Sequence, residues 1–195
     1  MNTVFADVDT QLDFLCPSGA LYAPGAEKIA PALAALTRYA AAQRVKIVSS
    51  VDAHTEDDPE FKIWKPHCVA GTAGQQKIAS SLVENRCVVP NAGQFDAGSV
   101  AGAQQVIVEK QTVDPFTNAH MARIIESLTP CRFVVYGLVT EICVHHMVLG
   151  LLRHNSSVEI VTDAIHPFSE TAGQQALTQL GSAGAKLVNV AAITG

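Results

Sequence analysis

Three residues that lie far apart in the sequence could together carry out acyl transfer. Cys143 is a potential nucleophile, since a thiolate attacks carbonyl carbon readily, and the cation of Lys110 would favour the thiolate. Asp9 could accept the thiol proton and later hand it to a leaving amine. We also expect Cys143 in the first turn of a helix, where the helix dipole lowers the pKa of a thiol and free amides can hold an oxyanion. These residue types form a complete set for acyl transfer.

A second group of residues has the side chains of a metal site. Asp52, His54 and His67 offer one carboxylate and two imidazoles within a short stretch of chain, and Glu60 lies between them. Mixed carboxylate and imidazole ligands suit Zn, Fe or Mn, and three protein ligands would leave a coordination position open. Such residues are also common in solvated loops, and the acidic run at 56–58 is interpreted as a charged surface. Spacing alone leaves both interpretations open.

The elements that must position these residues alternate between short apolar runs and helical patterns. Runs that are apolar nearly throughout indicate strands buried on both faces, as in a parallel sheet covered by helices. We therefore predict an α/β fold, three-layered α/β/α, with a six-stranded, mainly parallel, Rossmann-like sheet. A buried helix over 141–153, with Thr140 as its N-cap, should follow the fourth strand, and stretches 53–80 and 90–100 are predicted to be long functional loops. The six predicted strands cover residues 3–8, 45–51, 105–108, 132–136, 158–161 and 186–190.

The candidate residues follow directly after four of these strands. Asp9 comes after the first, Asp52 and His54 after the second, Lys110 after the third, and the turn to Cys143 after the fourth. Ligands of open parallel sheets bind beyond the carboxyl ends of the strands, so these side chains should meet at one edge. Taken singly, Cys143 could be a small buried hydrophobe, Lys110 a solvated strand end and Asp9 a cap. Their predicted position at the same sheet edge favours a catalytic site over three separate structural roles.

Length and charge exclude several classes of protein. A chain of 195 residues is long enough for one full core, and we expect a single domain over 1–195. The net charge of -5 and the absence of any lysine or arginine run argue against a nucleic-acid partner. The sequence has neither an apolar stretch of the ~20 residues that a membrane helix needs nor an export signal. We therefore expect a cytoplasmic protein with no membrane partner.

Cysteine usage and apolar content support the same interpretation. The five cysteines are an odd number, widely spaced and without a CxxC pair, which fits free thiols in a reducing compartment. Hydrophobic residues make up 48% of the chain against 16% charged residues. Part of that apolar surplus would be covered in a homo-oligomer, which we therefore expect.

The motifs around the first group resemble the isochorismatase-like cysteine hydrolase superfamily, in its nicotinamidase/pyrazinamidase branch. VDTQLDF at 8–14, VEK at 108–110 and GLVTEICV at 137–144 are similar to the family's three catalytic motifs, and the likeness covers nearly the whole chain. The resemblance implies a triad of Asp9, Lys110 and Cys143. It further implies a cis peptide bond between Val139 and Thr140 and an oxyanion hole formed by the amides of Val139 and Cys143.

The second group also matches motifs of the nicotinamidases. DAH at 52–54 and PHCVAGT at 66–72 resemble the segments that separate nicotinamidases from metal-free relatives. The resemblance implies a divalent metal ion, with Zn expected and Fe or Mn as alternatives, held by Asp52, His54 and His67. Glu60 matches a fourth ligand of some members. Phe14 and Trp64 correspond to the aromatic walls of the substrate pocket.

Together these features predict a metal-assisted cysteine amidohydrolase that converts nicotinamide to nicotinate and ammonia through a thioester. A related hydrolase, acting on another amide, a carbamoyl compound or isochorismate, is the alternative, and a non-catalytic binding protein on the same fold is a third possibility. Residues 111–118 lack the tyrosine-rich loop of many nicotinamidases, and Glu141 stands where those enzymes usually have Asp. His145 and His146 are interpreted as structural histidines.

Overall fold

The protein is built on one seven-stranded sheet in which all paired strands are parallel. A computed structural model describes residues 2–94, 96–154 and 156–195. The strand order is β3-β4-β2-β1-β5-β6-β7, so the first strand lies at the centre. The strands are β1 Asn2–Val8, β2 Lys46–Asp52, β3 Arg86–Val89, β4 Gln105–Lys110, β5 Cys131–Leu138, β6 Ser157–His166 and β7 Lys186–Val188.

The predicted α/β class is confirmed, whereas the predicted number of six strands was wrong. The additional strand, β3, has only four residues and lies at the edge of the sheet. Its side chains are mostly not buried, and Val88 is 56% exposed. Its apolar run, residues 87–89, is shorter than the runs of about four to eight residues that indicate a strand, and the stretch 90–100 with its weak pattern follows directly.

Helices cover both faces of the sheet, which gives the three layers. On one face, Ile124, Met147 and Leu180 of three helices pack in one core cluster with Val4 and Val8 of β1. The opposite face forms a second cluster with the helices Ala30–Gln43 and Val190–Thr194. No helix in the described part of the chain is long and apolar enough to cross a membrane. The helices are α1 Leu12–Leu15, α2 Ala30–Gln43, α3 Ala97–Gly102, α4 Met121–Leu128, α5 His145–Arg153, α6 Glu170–Ser182 and α7 Val190–Thr194.

The helix predicted over 141–153 begins differently from the expectation. Its first part is a π-helical turn, Thr140–Val144, and α5 follows from His145. Val139 rather than Thr140 occupies the N-cap position, and no side chain caps the turn. Thr140 is itself inside the turn and buried, so its hydroxyl is not placed to cap the first amides. Of the two predicted loops, 90–100 contains the start of α3, and its Phe95 lies outside the described residues.

A buried ion pair ties the segment before Ile78 to the central strand. The Lys77 ammonium lies 2.9 Å from the Asp7 carboxylate and donates to the Thr10 hydroxyl at 2.7 Å. Thr10 and Ser49 donate their hydroxyls to the same carboxylate, at 2.9 and 3.3 Å. All four residues are buried. Removing one charge of such a pair leaves the other uncompensated in a medium that solvates it poorly.

We expect Lys77→Met to lower the free energy of unfolding by about 3–5 kcal/mol, because the Asp7 carboxylate would remain buried without its cation. Guanidinium titration followed by circular dichroism measures this loss. Lys186→Met, at an exposed position, is the matched control and should stay close to wild type. Equal stability of the two variants would contradict the assignment of a stabilising role to the ion pair.

Candidate active site

The carboxyl ends of the four central strands bring one cation, two carboxylates and one thiol together. Asp9 follows β1, Asp52 ends β2, Lys110 ends β4, and Cys143 lies in the turn after β5. The Lys110 ammonium lies 2.9 Å from Asp9 Oδ2, donates to Asp52 Oδ1, and lies 3.7 Å from the sulfur of Cys143. All four residues are buried. The residues predicted from the strand ends therefore lie together at one edge of the sheet.

The two carboxylates keep Lys110 charged. Burial alone would lower the pKa of this ammonium, but Asp52 and Asp9 outweigh it and raise the pKa well above its ordinary value. For Asp9 the balance is reversed, because burial raises the pKa of its carboxyl more than Lys110 lowers it. Its Oδ1 accepts a hydrogen bond from Ser50 at 2.7 Å. Asp9 is thus a buried carboxylate whose affinity for a proton is enhanced.

The prediction of a depressed thiol pKa for Cys143 was wrong. Burial raises its pKa well above the ordinary value, although Lys110 opposes this. Asp9 and Asp52 also favour the protonated form through their charge, and Asp9 does so by hydrogen bonding. The helix start and the cation favour the thiolate, whereas the two carboxylates and the exclusion of water favour the protonated thiol. The surroundings of Cys143 therefore favour the protonated thiol.

Asp52 and the two histidines form a compact group of potential ligand atoms. Oδ2 of Asp52 lies 3.9 Å from Nε2 of His54 and 3.7 Å from Nε2 of His67. Within the described residues, these three side chains make up the group whose ligand atoms all lie within 4.8 Å of one another. His54 Nε2 is buried and has no hydrogen-bond partner among those residues. A buried ring nitrogen without a hydrogen-bond partner, beside a carboxylate, fits a divalent cation, as predicted from the residue types.

Backbone pairing brings the two histidines together. His54 forms a parallel bridge with Val69, its amide donates to the Cys68 carbonyl at 3.1 Å, and its carbonyl accepts from Ala70 at 2.9 Å. The Cys68 amide in turn donates to the Asp13 carboxylate at 2.7 Å. The chain must come close to this carboxylate at Gly74, where a Cβ would lie 2.2 Å from its oxygen. The loop carrying His67 is therefore fixed to α1 and to the segment that follows β2.

Asp52 links the potential metal site to the cluster around Lys110. One of its oxygens accepts from Lys110 and the other faces the histidines. Burial would raise the pKa of Asp52, but Lys110 and both histidines lower it. The Gln11 side chain accepts from the Asp52 amide at 2.7 Å and donates to its carbonyl at 2.8 Å. Gln11, which the sequence analysis did not single out, thereby fixes the backbone of the shared carboxylate.

An apolar pocket opens above the thiol. It has a volume of about 310 Å³ with its open mouth included. Both predicted aromatic walls, Phe14 and Trp64, line it, and Glu60 lies in the wall beside them, outside the compact group of ligand atoms. Burial and the charge of Asp52 raise the pKa of Glu60. The other lining residues are Leu21, Asp52, His67, Val113, Leu138, Val139, Ile142, Cys143 and Phe168.

A third aromatic residue of the pocket, Phe168, was missed from the sequence. Its ring stacks on Trp64 with centroids 5.9 Å apart. The Glu141 carboxylate accepts from the amides of Phe168 and Ser169 at 3.0 and 2.9 Å, which anchors this segment beside the turn of the thiol. β6 ends at His166, two residues before Phe168. The expectation that ligands bind beyond the carboxyl ends of the strands therefore also applied to Phe168. His145 and His146 do not line the pocket, and His146 lies 4.0 Å from Asp114.

The cis peptide bond lies one residue earlier than predicted, between Leu138 and Val139 rather than between Val139 and Thr140. Leu138 is still paired with His166 in the sheet, and the helical turn begins at Thr140. The change of direction from strand to helix therefore has to occur before Thr140. Beyond this bond, the Val139 carbonyl accepts from the amides of Ile142 and Val144 at 3.0 and 3.1 Å.

Asp58 was also missed, because it was interpreted as part of a charged surface. It is buried, and its Oδ2 lies 3.0 Å from Nδ1 of His54. Its position four residues after His54 was the feature of the sequence that could have indicated a contact between the two side chains. Nδ1 of His67 contacts the carbonyl of Lys65 at 2.7 Å. Both imidazoles are thus held through Nδ1, with Nε2 directed to Asp52.

Comparison with known proteins identifies the family. The isochorismatase domain model matches residues 4–192. A search of curated proteins gave no match. Among solved structures, pyrazinamidase of Pyrococcus horikoshii in complex with zinc is similar at 25% identity and TM-score 0.79, covering 97% of this chain and 99% of that one.

Two further structures share the fold. Nicotinamidase from Bacillus subtilis is 21% identical with a TM-score of 0.79, covering 97% of this chain and all of the other. N-carbamoylsarcosine amidase from Thermoplasma acidophilum is 24% identical with a TM-score of 0.75, covering 97% of each chain. The match to the domain model extends over nearly the whole sequence and includes every candidate residue described above. The chain therefore belongs to the isochorismatase family of hydrolases.

Proposed function

We propose that the protein is a metal-assisted cysteine amidohydrolase and that nicotinamide is its substrate. The observation that carries the proposal is the contact of Lys110 with both Asp9 and the Cys143 sulfur at the base of an aromatic pocket. A thiol, a carboxylate with raised proton affinity and a fixed cation are what acyl transfer from an amide requires. The adjacent Asp52, His54 and His67 would supply the metal site.

In the first half of the reaction, Asp9 takes the proton of the Cys143 thiol as the sulfur attacks the amide carbonyl carbon. The raised pKa of Asp9 suits it to this transfer, because a more basic carboxylate takes the proton more readily. The amides of Val139 and Cys143 would hold the oxyanion of the tetrahedral intermediate. Asp9 then gives the proton to the leaving nitrogen, the C–N bond breaks, and ammonia departs from a thioester on Cys143.

In the second half, Asp9 removes a proton from water, which attacks the thioester carbonyl. The C–S bond breaks as the tetrahedral intermediate collapses, the sulfur recovers the proton from Asp9, and the carboxylic acid is released. Lys110 stays charged throughout, because two carboxylates face it. Its ammonium balances the charge of the sulfur and of Asp9 as the proton moves between them.

The substrate ring would lie in the apolar part of the pocket. Phe14, Trp64 and Phe168 offer aromatic surface for a flat heterocycle, and Phe14 also packs on the His67 ring with centroids 5.3 Å apart. A divalent cation held by Asp52, His54 and His67 would bind the ring nitrogen as a Lewis acid and orient the ring. Zinc in a similar pyrazinamidase supports this assignment, with Fe and Mn as alternatives.

The test is ammonia release from a panel of primary amides and carbamoyl compounds, with isochorismate hydrolysis assayed in parallel. We expect nicotinamide to be the best substrate, and chelation followed by removal of the chelator should lower its hydrolysis by roughly a hundredfold or more until Zn, Mn or Fe is restored. Turnover of a carbamoyl compound or of isochorismate alone, unaffected by chelation, would contradict the proposal. In that case, segment 111–118, which contributes Val113 to the pocket, should be replaced by the tyrosine-rich loop of nicotinamidases to test whether it determines the substrate.

A further inference from the structure

We propose that Asp58 is a positioning residue of the metal site, whose carboxylate fixes the tautomer of His54 and thereby sets the affinity for a divalent cation. This inference rests on the metal site of the proposed function. Asp58 Oδ2 lies 3.0 Å from Nδ1 of His54, and both side chains are buried. Because water has little access to either group, the carboxylate and the imidazole are each other's principal partner on this side of the ring.

The contact determines which nitrogen of His54 is free. A neutral imidazole carries one N–H, and a carboxylate beside Nδ1 can only accept, so the proton belongs on Nδ1. Nε2 is then left with its lone pair, and this atom has no hydrogen-bond partner among the described residues. It lies 3.9 Å from Asp52 Oδ2. Hydrogen bonding of the distal N–H to a carboxylate also raises the basicity of a ligating imidazole.

The position of Asp58 is itself fixed by its neighbours. Its second oxygen accepts from the Glu60 amide at 2.9 Å, which caps the short helical turn Pro59–Lys62. On the same side of the site, the Phe61 ring packs on His54 with centroids 5.2 Å apart. Among the described residues, the Nδ1 atom of the other histidine, His67, contacts the neutral carbonyl of Lys65. The two imidazoles therefore differ in their partner at Nδ1, which is the carboxylate of Asp58 for His54 and a backbone carbonyl for His67.

The experiment compares Zn²⁺ affinity in Asp58→Asn, Asp58→Ala and wild type by competition with a chromophoric chelator. Asn keeps an acceptor for the Glu60 amide but removes the charge, so this variant should fold. We expect about tenfold weaker binding for Asp58→Asn and up to about a hundredfold for Asp58→Ala. Asp57→Asn, the adjacent exposed acid, is the matched control and should bind as wild type does. Thermal unfolding of the metal-free proteins separates folding from affinity.

Wild-type affinity in Asp58→Asn would overturn the inference while leaving the proposed function intact. Wild type that fails to bind Zn²⁺, Mn²⁺ or Fe²⁺ would instead overturn the metal site of the proposed function and this inference with it. A further measurement needs no variant: long-range ¹H–¹⁵N NMR of the metal-free wild type, recorded at a pH at which His54 is neutral, should show its single ring proton on Nδ1. A neutral ring with its proton on Nε2 would contradict the proposal.

Discussion

Replacing Cys143 by alanine is expected to reduce kcat for amide hydrolysis by about 10⁴-fold or more, because the reaction would lose its nucleophile rather than a binding contact. The variant should still bind metal, since Asp52, His54 and His67 are unchanged. It should also fold, because a small apolar side chain replaces a thiol in a buried position. Steady-state ammonia release and a metal titration of the same preparation measure both expectations.

Cys87→Ala is the control for the loss of a thiol. This cysteine lies in edge strand β3, is partly buried and does not line the pocket. Its replacement should leave kcat close to wild type. Ammonia release by Cys143→Ala at a rate comparable with that of the control would rule out a covalent mechanism through this residue.

Removing a metal ligand is the second change with a large expected effect. His54→Ala should lower kcat/KM for nicotinamide by roughly a hundredfold or more, since a metal ion supplies several kcal/mol of orientation and charge stabilisation. Chelation of wild type should give the same loss and be reversed by added metal. In the variant, added metal should not restore activity, because one of three ligands is missing.

His146→Ala provides the matched histidine control. His146 follows the nucleophile closely in sequence, but it lies 4.0 Å from Asp114 and is 39% exposed in its side chain. It contributes no atom to the group of ligand atoms. We expect metal content and activity close to wild type. Full activity in His54→Ala under conditions that remove trace metal would contradict the role given to the metal site.

Much of the fold could be predicted because the strands contain short apolar, largely β-branched runs that alternate with helical patterns. β1 and β5, for example, are buried along most of their length. Short buried strands separated by helices are typical of a parallel sheet that helices cover on both faces. Strand β3 could not be predicted because its apolar run, residues 87–89, is shorter than the roughly four to eight residues typical of a strand. Its pairing depends on the neighbouring strand β4 rather than on its own pattern.

The residues around the thiol could be predicted because each follows an apolar run. In the observed strand order, β4, β2, β1 and β5 are neighbours, so Lys110, Asp52, Asp9 and Cys143 meet. The pKa of Cys143 could not be predicted in this way, since it depends on burial and on carboxylates contributed by two other strands. The same holds for Gln11, whose partner Asp52 is 41 positions away.

The most direct test of the central claim uses pyridine-3-carboxaldehyde labelled with ¹³C at the carbonyl, an analogue in which the amide is replaced by an aldehyde. Attack by Cys143 would form a thiohemiacetal that cannot lose a leaving group, so the labelled carbon should move from the carbonyl to the tetrahedral region of the NMR spectrum. The account predicts this shift in wild type, in a ratio of one label per chain, and its absence in Cys143→Ala. A bound label that remains an aldehyde in wild type, or a tetrahedral signal that persists in Cys143→Ala, would contradict it.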